Sequence, residues 1–212
     1  MMFDFAAMAA PDVYKILGST VVPRPIAWVS SVSADGIGNV APYSFFNVMG
    51  HEPPIVAIGM LRHPEDRAKD TPANVLATQE FVVNLVTEDV AQKMNITTAD
   101  APPEVDEAEL AGLTMAPSAR VKPKRVADAA VNLECTLFSA IQAGPHQWVI
   151  LGRVLCAHVA DRFVLDAKRC HIDTPSLGMI GRMHGAGWYA RTTDLFQIER
   201  ARWADFRKDG IG

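Results

Sequence analysis

At 212 residues the chain has the length of one domain and can bury a single core without disulfide staples. Apolar residues make up 49% and charged residues 21%, and 20 basic against 24 acidic side chains leave a net charge of −4. There is no Lys/Arg run beyond "RVKPKR" at 120–125, which excludes phosphate-driven nucleic acid binding as the main activity. Cys135, Cys156 and Cys170 are odd in number, widely spaced and without a C-x-x-C, so reduced thiols are expected rather than a disulfide framework.

The opening "MMFDFAAMAAPDVYK" has no basic n-region, and Asp4 interrupts its apolar patch, so it reads poorly as a signal peptide. No apolar run approaches the roughly 18 residues of a spanning helix. The expectation is one cytoplasmic domain over 1–212 with neither membrane nor nucleic acid as partner.

Residues 26–33, "IAWVSSVS", have the β-branched and aromatic content of a strand, and "ADG" at 34–36 supplies turn chemistry. "IGNVAPYSFF" continues extended, with Pro42 marking a bulge or an edge because it cannot donate to a ladder. After "GHEPP", the run "IVAIGM" predicts a strand buried on both faces. "KDTPANVLAT" (69–78) predicts a helix, capped by Asp70 or Thr71 with Pro72 in the first turn. "EFVVNLV" (80–86) is the next strand and "EDVAQKMNITT" the next helix.

The stretch 99–119 is acidic and Pro-rich, then weakly helical, and reads as a surface excursion because strands resume after it. Residues 131–144 and 146–164 predict two long strands around a Gly144-Pro145 turn. At least six strands and few helices predict a mainly β fold: a closed or nearly closed antiparallel barrel, Greek-key-like, with helices packed on it.

One motif is rejected. Gly36, Gly38 and Ala41 spell G-x-G-x-x-A, but a dinucleotide fingerprint needs its third small residue in a helix that receives pyrophosphate. Ala41 is followed by Pro42 and an extended aromatic stretch, so the glycines are assigned to a hairpin turn.

The order R-P-I-A-W-V-S-S, D-G, N-V-A-P-Y-S-F-F-N, P-P-I-V-A-I resembles the flavin reductase-like family of FMN-binding split β-barrels. The match continues through Lys69-Asp70-Thr71 with Asn74, "EFVVNLV", "VNLEC", "HQWVILGRV" and "LGMIGR…WY", across roughly residues 13–191. The resemblance implies a split-barrel fold, a homodimer and a non-covalent flavin near the dimer interface.

The residues themselves offer what a flavin needs: a phosphate cradle, an apolar wall and hydrogen bonds to a polar edge. Lys69 brings charge, Thr71 a hydroxyl and the following helix its free N–H groups, with Asp70 and Asn74 beside them; a plain helix cap with a solvated lysine is the alternative. Arg24, stiffened by flanking prolines, is placed by resemblance near the phosphate or ribityl chain; a solvated surface arginine is the alternative. Side chains alternate along an extended chain, so one of Phe45 and Phe46 must leave the core. The resemblance puts the flavin ring beside Pro42, Tyr43, Ser44 and Phe45, with Asn47 near. Ser30 and Ser31 point to opposite faces, so at most one touches the cofactor. "GRMHGAGWY" (181–189) reads as a flexible segment closing over the ring, with Trp188 or Tyr189 stacking and Arg182 supplying charge, or else as a mobile tail turn.

Among six histidines no pair has i, i+4 spacing and no H-E-x-x-H occurs, so no metal site is expected; His51 and His63 are read in loops, and "CHID" holds Cys170, His171 and Asp173. By resemblance His146 lies near the nicotinamide or flavin edge, where an imidazole can stabilise negative charge on reduced flavin.

The function implied is reduction of FMN, with FAD as a second option, by NADH or NADPH, with reduced flavin passed to a monooxygenase or another acceptor. The alternative is an FMN-carrying electron-transfer protein of flavoredoxin type. A third, ranked last, is an oxidase-like split barrel acting on a small substrate such as pyridoxine phosphate.

Overall fold

The structure, a computed structural model, describes residues 1–61, 70–102, 104–145 and 147–203, with Asp70 described by its backbone only. Lys69, His63 and His146 lie outside the described residues.

The chain opens with a helix the sequence reading did not anticipate, α1 (Ala10–Thr20), which carries a proline in its first turn and Asp12 beside it. The strands then follow as β1 (Ala27–Val32), β2 (Gly38–Tyr43), β3 (Phe46–His51) and β4 (Pro54–Leu61). Helix α2 (Asp70–Thr78) leads directly into β5 (Glu80–Leu85). A 3-10 turn at Glu88–Val90 runs into α3 (Ala91–Ile96), and the acidic excursion holds the short α4 (Glu107–Leu110). After the small β6 (Met115–Ala116) and β7 (Arg125–Val126) come the two long strands, β8 (Val131–Gly144) and β9 (Gln147–Val159). The chain closes on two small ladders, β10 (Val164–Asp166) with β11 (His171–Ile172), and β12 (Ile180–Arg182) with β13 (Tyr189–Arg191).

One antiparallel sheet organises the molecule, in the order β2-β1-β5-β8-β9-β4-β3. Its two outer strands, β2 and β3, are consecutive in sequence and separated only by Ser44 and Phe45. The chain therefore leaves one edge of the sheet and re-enters at the other, and the Gly59 N–H donates to the Phe45 carbonyl at 2.7 Å, extending the β3–β4 ladder onto the bend. The sheet curls into a barrel that this bend splits. Pro42 sits on the edge strand β2, opposite Trp28, as a residue without an N–H requires. The expected single extended run 37–46 is two strands, because the bend at 44–45 breaks it. The turn before it is the predicted hairpin: Gly36 has φ +88°, and its N–H donates to the Ser33 carbonyl.

Two apolar clusters lie on opposite faces of β1. The barrel interior gathers Ala27, Val29, Tyr43, Phe46, Ile58 and Phe81, with Val75 of α2 covering it. The outer face gathers Trp28, Val40, Val86, Met94, Ala108 and Val126 under α3 and α4. Trp28 is fully buried and its indole N–H donates to the Thr97 hydroxyl at 2.9 Å, so a large ring is buried without an orphaned donor.

The 99–119 stretch departs from its reading as a surface excursion. Glu107, Ala108 and Ala111 are buried, and Ala108 belongs to the outer cluster. The second long strand also ends earlier than expected, at Val159, before a 3-10 turn and β10. β3 takes in His51, where the sequence predicts a loop.

Candidate functional site

The bend between β2 and β3 separates two clefts. The larger, about 340 Å³, lies between Pro42, Tyr43 and Ser44 on one side and Arg182, Gly187 and Tyr189 on the other, with Asn95 and Thr98 contributing polar groups. The smaller, about 160 Å³, lies between Tyr43, Ser44, Phe45, Tyr14, Gly59 and Leu61. The larger falls within the volume range of small-molecule sites and mixes apolar walls with a few polar groups, as such sites do. Gly59 permits the close approach: a Cβ there would stand 3.0 Å from the Phe45 Cβ.

The aromatic pair divides as alternation predicts. Phe46 is buried in the barrel interior, whereas Phe45 turns out against Tyr14 of α1, ring centroids 5.8 Å apart. Arg24 lies 5.7 Å from the Phe45 ring centroid and is buried, which removes the reading of it as a solvated arginine. Its guanidinium donates to the carbonyls of Gly18, Val21 and Met183 and to the Ser44 hydroxyl. Arg24 thus ties the end of α1, the bend and the 182–189 segment together, and its backbone pairs with Arg182 in both directions. The Arg182 guanidinium is itself fixed, 5.0 Å from the Tyr189 ring centroid and donating to the Gly185 carbonyl. Trp188 stacks on His184 at 6.1 Å and stays exposed, so Tyr189 and not Trp188 lines the cleft.

A second cluster forms where the first turn of α2 meets β1 and β2. Ser31 Oγ donates to Asn39 Oδ1 at 3.3 Å, Thr71 Oγ1 donates to the same oxygen at 2.5 Å, and Asn74 Nδ2 donates to Ser31 Oγ at 3.2 Å. Asn39 Nδ2 in turn donates to Glu107 Oε2 at 2.9 Å, and that oxygen also accepts from the Val40 N–H at 3.1 Å. Thr71 is turned inward: its hydroxyl proton goes to Asn39, so the group it presents at the start of α2 is its backbone.

The structure therefore brings Pro42, Tyr43, Ser44, Arg182 and Tyr189 together, and separately Ser31, Thr71 and Asn74. Phe45 lines the smaller cleft. Asp70 begins α2. Ser30 faces away from this second cluster, donating to the Lys124 carbonyl and accepting from Asn84, so of the two serines Ser31 joins it. Asn47 joins neither cluster: it is exposed, and its side chain accepts from the Val48 N–H. Lys69 and His146 lie outside the described residues.

Asn39 and Glu107 were not singled out from the sequence. Asp106, whose carboxylate caps the Ala108 N–H, was the local signal for a helix carrying Glu107 inward.

A third polar group lies on the sheet away from both. Glu134, fully buried, accepts from the Ala119 N–H at 2.8 Å and the Arg120 N–H at 2.6 Å, and meets His158 Nε2 at 2.6 Å. Burial alone would raise its pKa, but the hydrogen bonds from Ala119, His158 and Arg120 together hold the carboxyl below the usual range. Burial pushes the Cys135 and Cys156 thiols up, so neither is a ready nucleophile.

A split barrel with a ligand-sized cleft at its bend defines the class of protein. The family model "Flavin reductase like domain" matches residues 18–170, and the chain belongs to that family. An uncharacterized protein of Deinococcus radiodurans is 41% identical over 97% of this chain and 92% of its own length. The crystal structure of nitrilotriacetate monooxygenase component B from Bacillus cereus is similar at TM-score 0.87 and 32% identity, covering 93% of this chain and 98% of that one. The 2-nitrobenzoate 2-nitroreductase NbaA of Pseudomonas fluorescens is similar at TM-score 0.87 and 28% identity, covering 96% and 98%. A flavoredoxin of Desulfovibrio vulgaris, at 14% identity and TM-score 0.71, shares the fold. Among the described residues no helix is long and apolar enough to cross a membrane.

Proposed function

We propose that this protein is an FMN-dependent NAD(P)H:flavin reductase that works as a cytoplasmic homodimer and hands reduced flavin to a monooxygenase or another acceptor. The observation that carries the reading is the cleft at the bend, about 340 Å³, walled by Pro42 and Tyr43 and edged by Ser44, Arg182 and Tyr189. FMN fits this chemistry: flat apolar walls suit the ring, and the hydroxyl, amide and guanidinium groups suit its polar edge. The phosphate belongs at the start of α2, where the N–H groups of the first turn stand beside Asn74 and Ser31, and Lys69, next in the sequence, supplies the charge. When bound, FMN supplies an acceptor for the hydride of NADH or NADPH.

The chain's residues position and shield. Arg24 fixes the bend and the 182–189 segment relative to each other, so the two walls of the cleft keep one spacing. Arg182, held over Tyr189, sets a positive charge at the cleft rim, and His146 serves to stabilise negative charge on the reduced ring. The similarity to a monooxygenase component supports delivery to a partner enzyme. Large apolar side chains, Val48 and Met49 on the edge strand β3 and Phe138, Ile141 and Leu155 on β8 and β9, are exposed and support a second copy packing on the barrel.

The test is an anaerobic absorbance spectrum of the purified protein before and after NADH and then NADPH. Flavin bands that bleach with a nicotinamide, with turnover on added FMN, are the expected result. Bands that persist would make the protein an FMN carrier of flavoredoxin type, reduced by a protein partner. A protein that neither carries nor takes up FMN would overturn the reading. Within it, Lys69→Ala is expected to weaken FMN binding by about 1.5–3 kcal/mol, since it removes a charge-assisted bond. That is roughly 10- to 150-fold in Kd by fluorescence titration. Thr71→Ala is expected to weaken binding less, because its hydroxyl donates to Asn39.

A further inference from the structure

Histidines without helical ligand spacing offer no local signal for a metal. Strands place ligands by another rule: alternate residues share a face, and cross-strand partners stand side by side. Glu134 of β8 is paired with Cys156 of β9, and His158 lies two residues further along the same strand. Their side chains consequently converge on one face of the β8–β9 ladder.

We propose that Glu134, Cys156 and His158 form a binding site for a zinc-like divalent cation, distinct from the flavin cleft. One carboxylate oxygen, one thiol sulfur and one imidazole nitrogen lie within 4.8 Å of one another. Ligand atoms around a tetrahedral zinc stand about 3 to 4 Å apart, so the three need only small shifts to surround an ion. His158 Nε2 and Glu134 Oε1, at 2.6 Å, share a proton, and the cation takes its place.

The donor set is mixed sulfur, nitrogen and oxygen, which favours zinc and its neighbours over calcium or magnesium. Two further features fit a site. Glu134 is held rigidly from behind by the N–H groups of Ala119 and Arg120, as ligating carboxylates commonly are. Access is from solvent: Cys156 is half-buried and the His158 side chain is 31% exposed. An open fourth position is left for water. No residue of the site lines either cleft at the bend.

The experiment is calorimetric titration of the purified protein with Zn2+ alone, together with its melting temperature with and without the ion. The variants are Cys156→Ser and His158→Gln, both at partly exposed positions, with circular dichroism to confirm the fold. Glu134 is left intact because it anchors the 119–120 loop. Cys170→Ser is the control for the exposed "CHID" segment. Wild type and Cys170→Ser should bind one Zn2+ per chain and melt higher with it, and each of the other two variants should bind at least tenfold more weakly. The proposal is overturned if wild type binds no Zn2+, if Cys156→Ser or His158→Gln binds it as wild type does, or if only Cys170→Ser loses it.

Discussion

Phe81→Ala is expected to cost about 3–5 kcal/mol of stability, the range for removing a fully buried phenyl ring. The ring reaches from β5 across β8 to β9, where it occupies the space above Gly152. A Cβ at Gly152 would fall 2.4 Å from Phe81 Cζ, and the next two ring atoms would be 3.1 and 3.3 Å away. Gly152→Ala is therefore destabilising too, by about 1–3 kcal/mol, since it forces a fully buried ring to move. The two substitutions act on one contact in opposite senses. In a Phe81→Leu background the added methyl has space, so the cost of Gly152→Ala should shrink and the pair should couple. Urea unfolding followed by circular dichroism on the four proteins measures this. Additive losses would mean that the ring and the glycine do not meet as described. Gly38→Ala should cost about 0.5–2 kcal/mol, because its Cβ would stand 2.4 Å from an Asp106 carboxylate oxygen and displace the cap that this carboxylate places on the Ala108 N–H.

Glu107→Ala should be the next most damaging change. Its Oε2 is the acceptor for two buried donors, the Asn39 side-chain amide and the Val40 N–H. Each buried donor left without an acceptor costs about 1–3 kcal/mol. Glu107→Gln keeps an oxygen in the same place and should cost far less, and the difference in urea midpoint between the two variants is the measurement. Asn39 also accepts from Ser31 and Thr71, so Glu107→Ala should loosen the start of α2 as well as the fold. If FMN phosphate binds there, its affinity should fall in the same variant and not in Glu107→Gln. An alanine variant as stable as wild type would show that the buried network does not bear on stability.

How much of this was legible in the residues varies with the range of the interaction. The strands at 27–32, 54–61 and 80–85 were readable because β-branched and apolar runs bounded by turn residues are local signals. So was the rejection of the G-x-G-x-x-A string, since Ala41 stands before a proline, which disfavours the helical region for it, and an extended aromatic stretch follows. The order of motifs was enough to expect a split barrel. Helix α1 went unread, although Pro11 and Asp12 mark its first turn and Val13, Ile16 and Leu17 stand at helical spacing.

Other properties depend on residues far apart in the chain, and no local pattern carries them. The sequence offers Arg24 as a flavin contact or a solvated side chain; burial removes the second, because carbonyls of Gly18, Val21 and Met183, the last 159 residues away, meet around it and make it a clamp. Alternation required Ser30 and Ser31 to face opposite ways, but only the packing of α2 against β1 and β2 decided that Ser31 joins Thr71 and Asn74. The acidic 99–119 stretch looked like surface by composition; Glu107 is buried because Asn39 and the Val40 N–H, 68 and 67 residues away in sequence, need an acceptor. Glu134, Cys156 and His158 meet because a strand register aligned them. The sequence by itself determined the strands, the turns and the family, which rest on neighbours along the chain. The tertiary structure alone decided which polar side chains share a site, because burial lets a polar group persist only where a distant partner satisfies it.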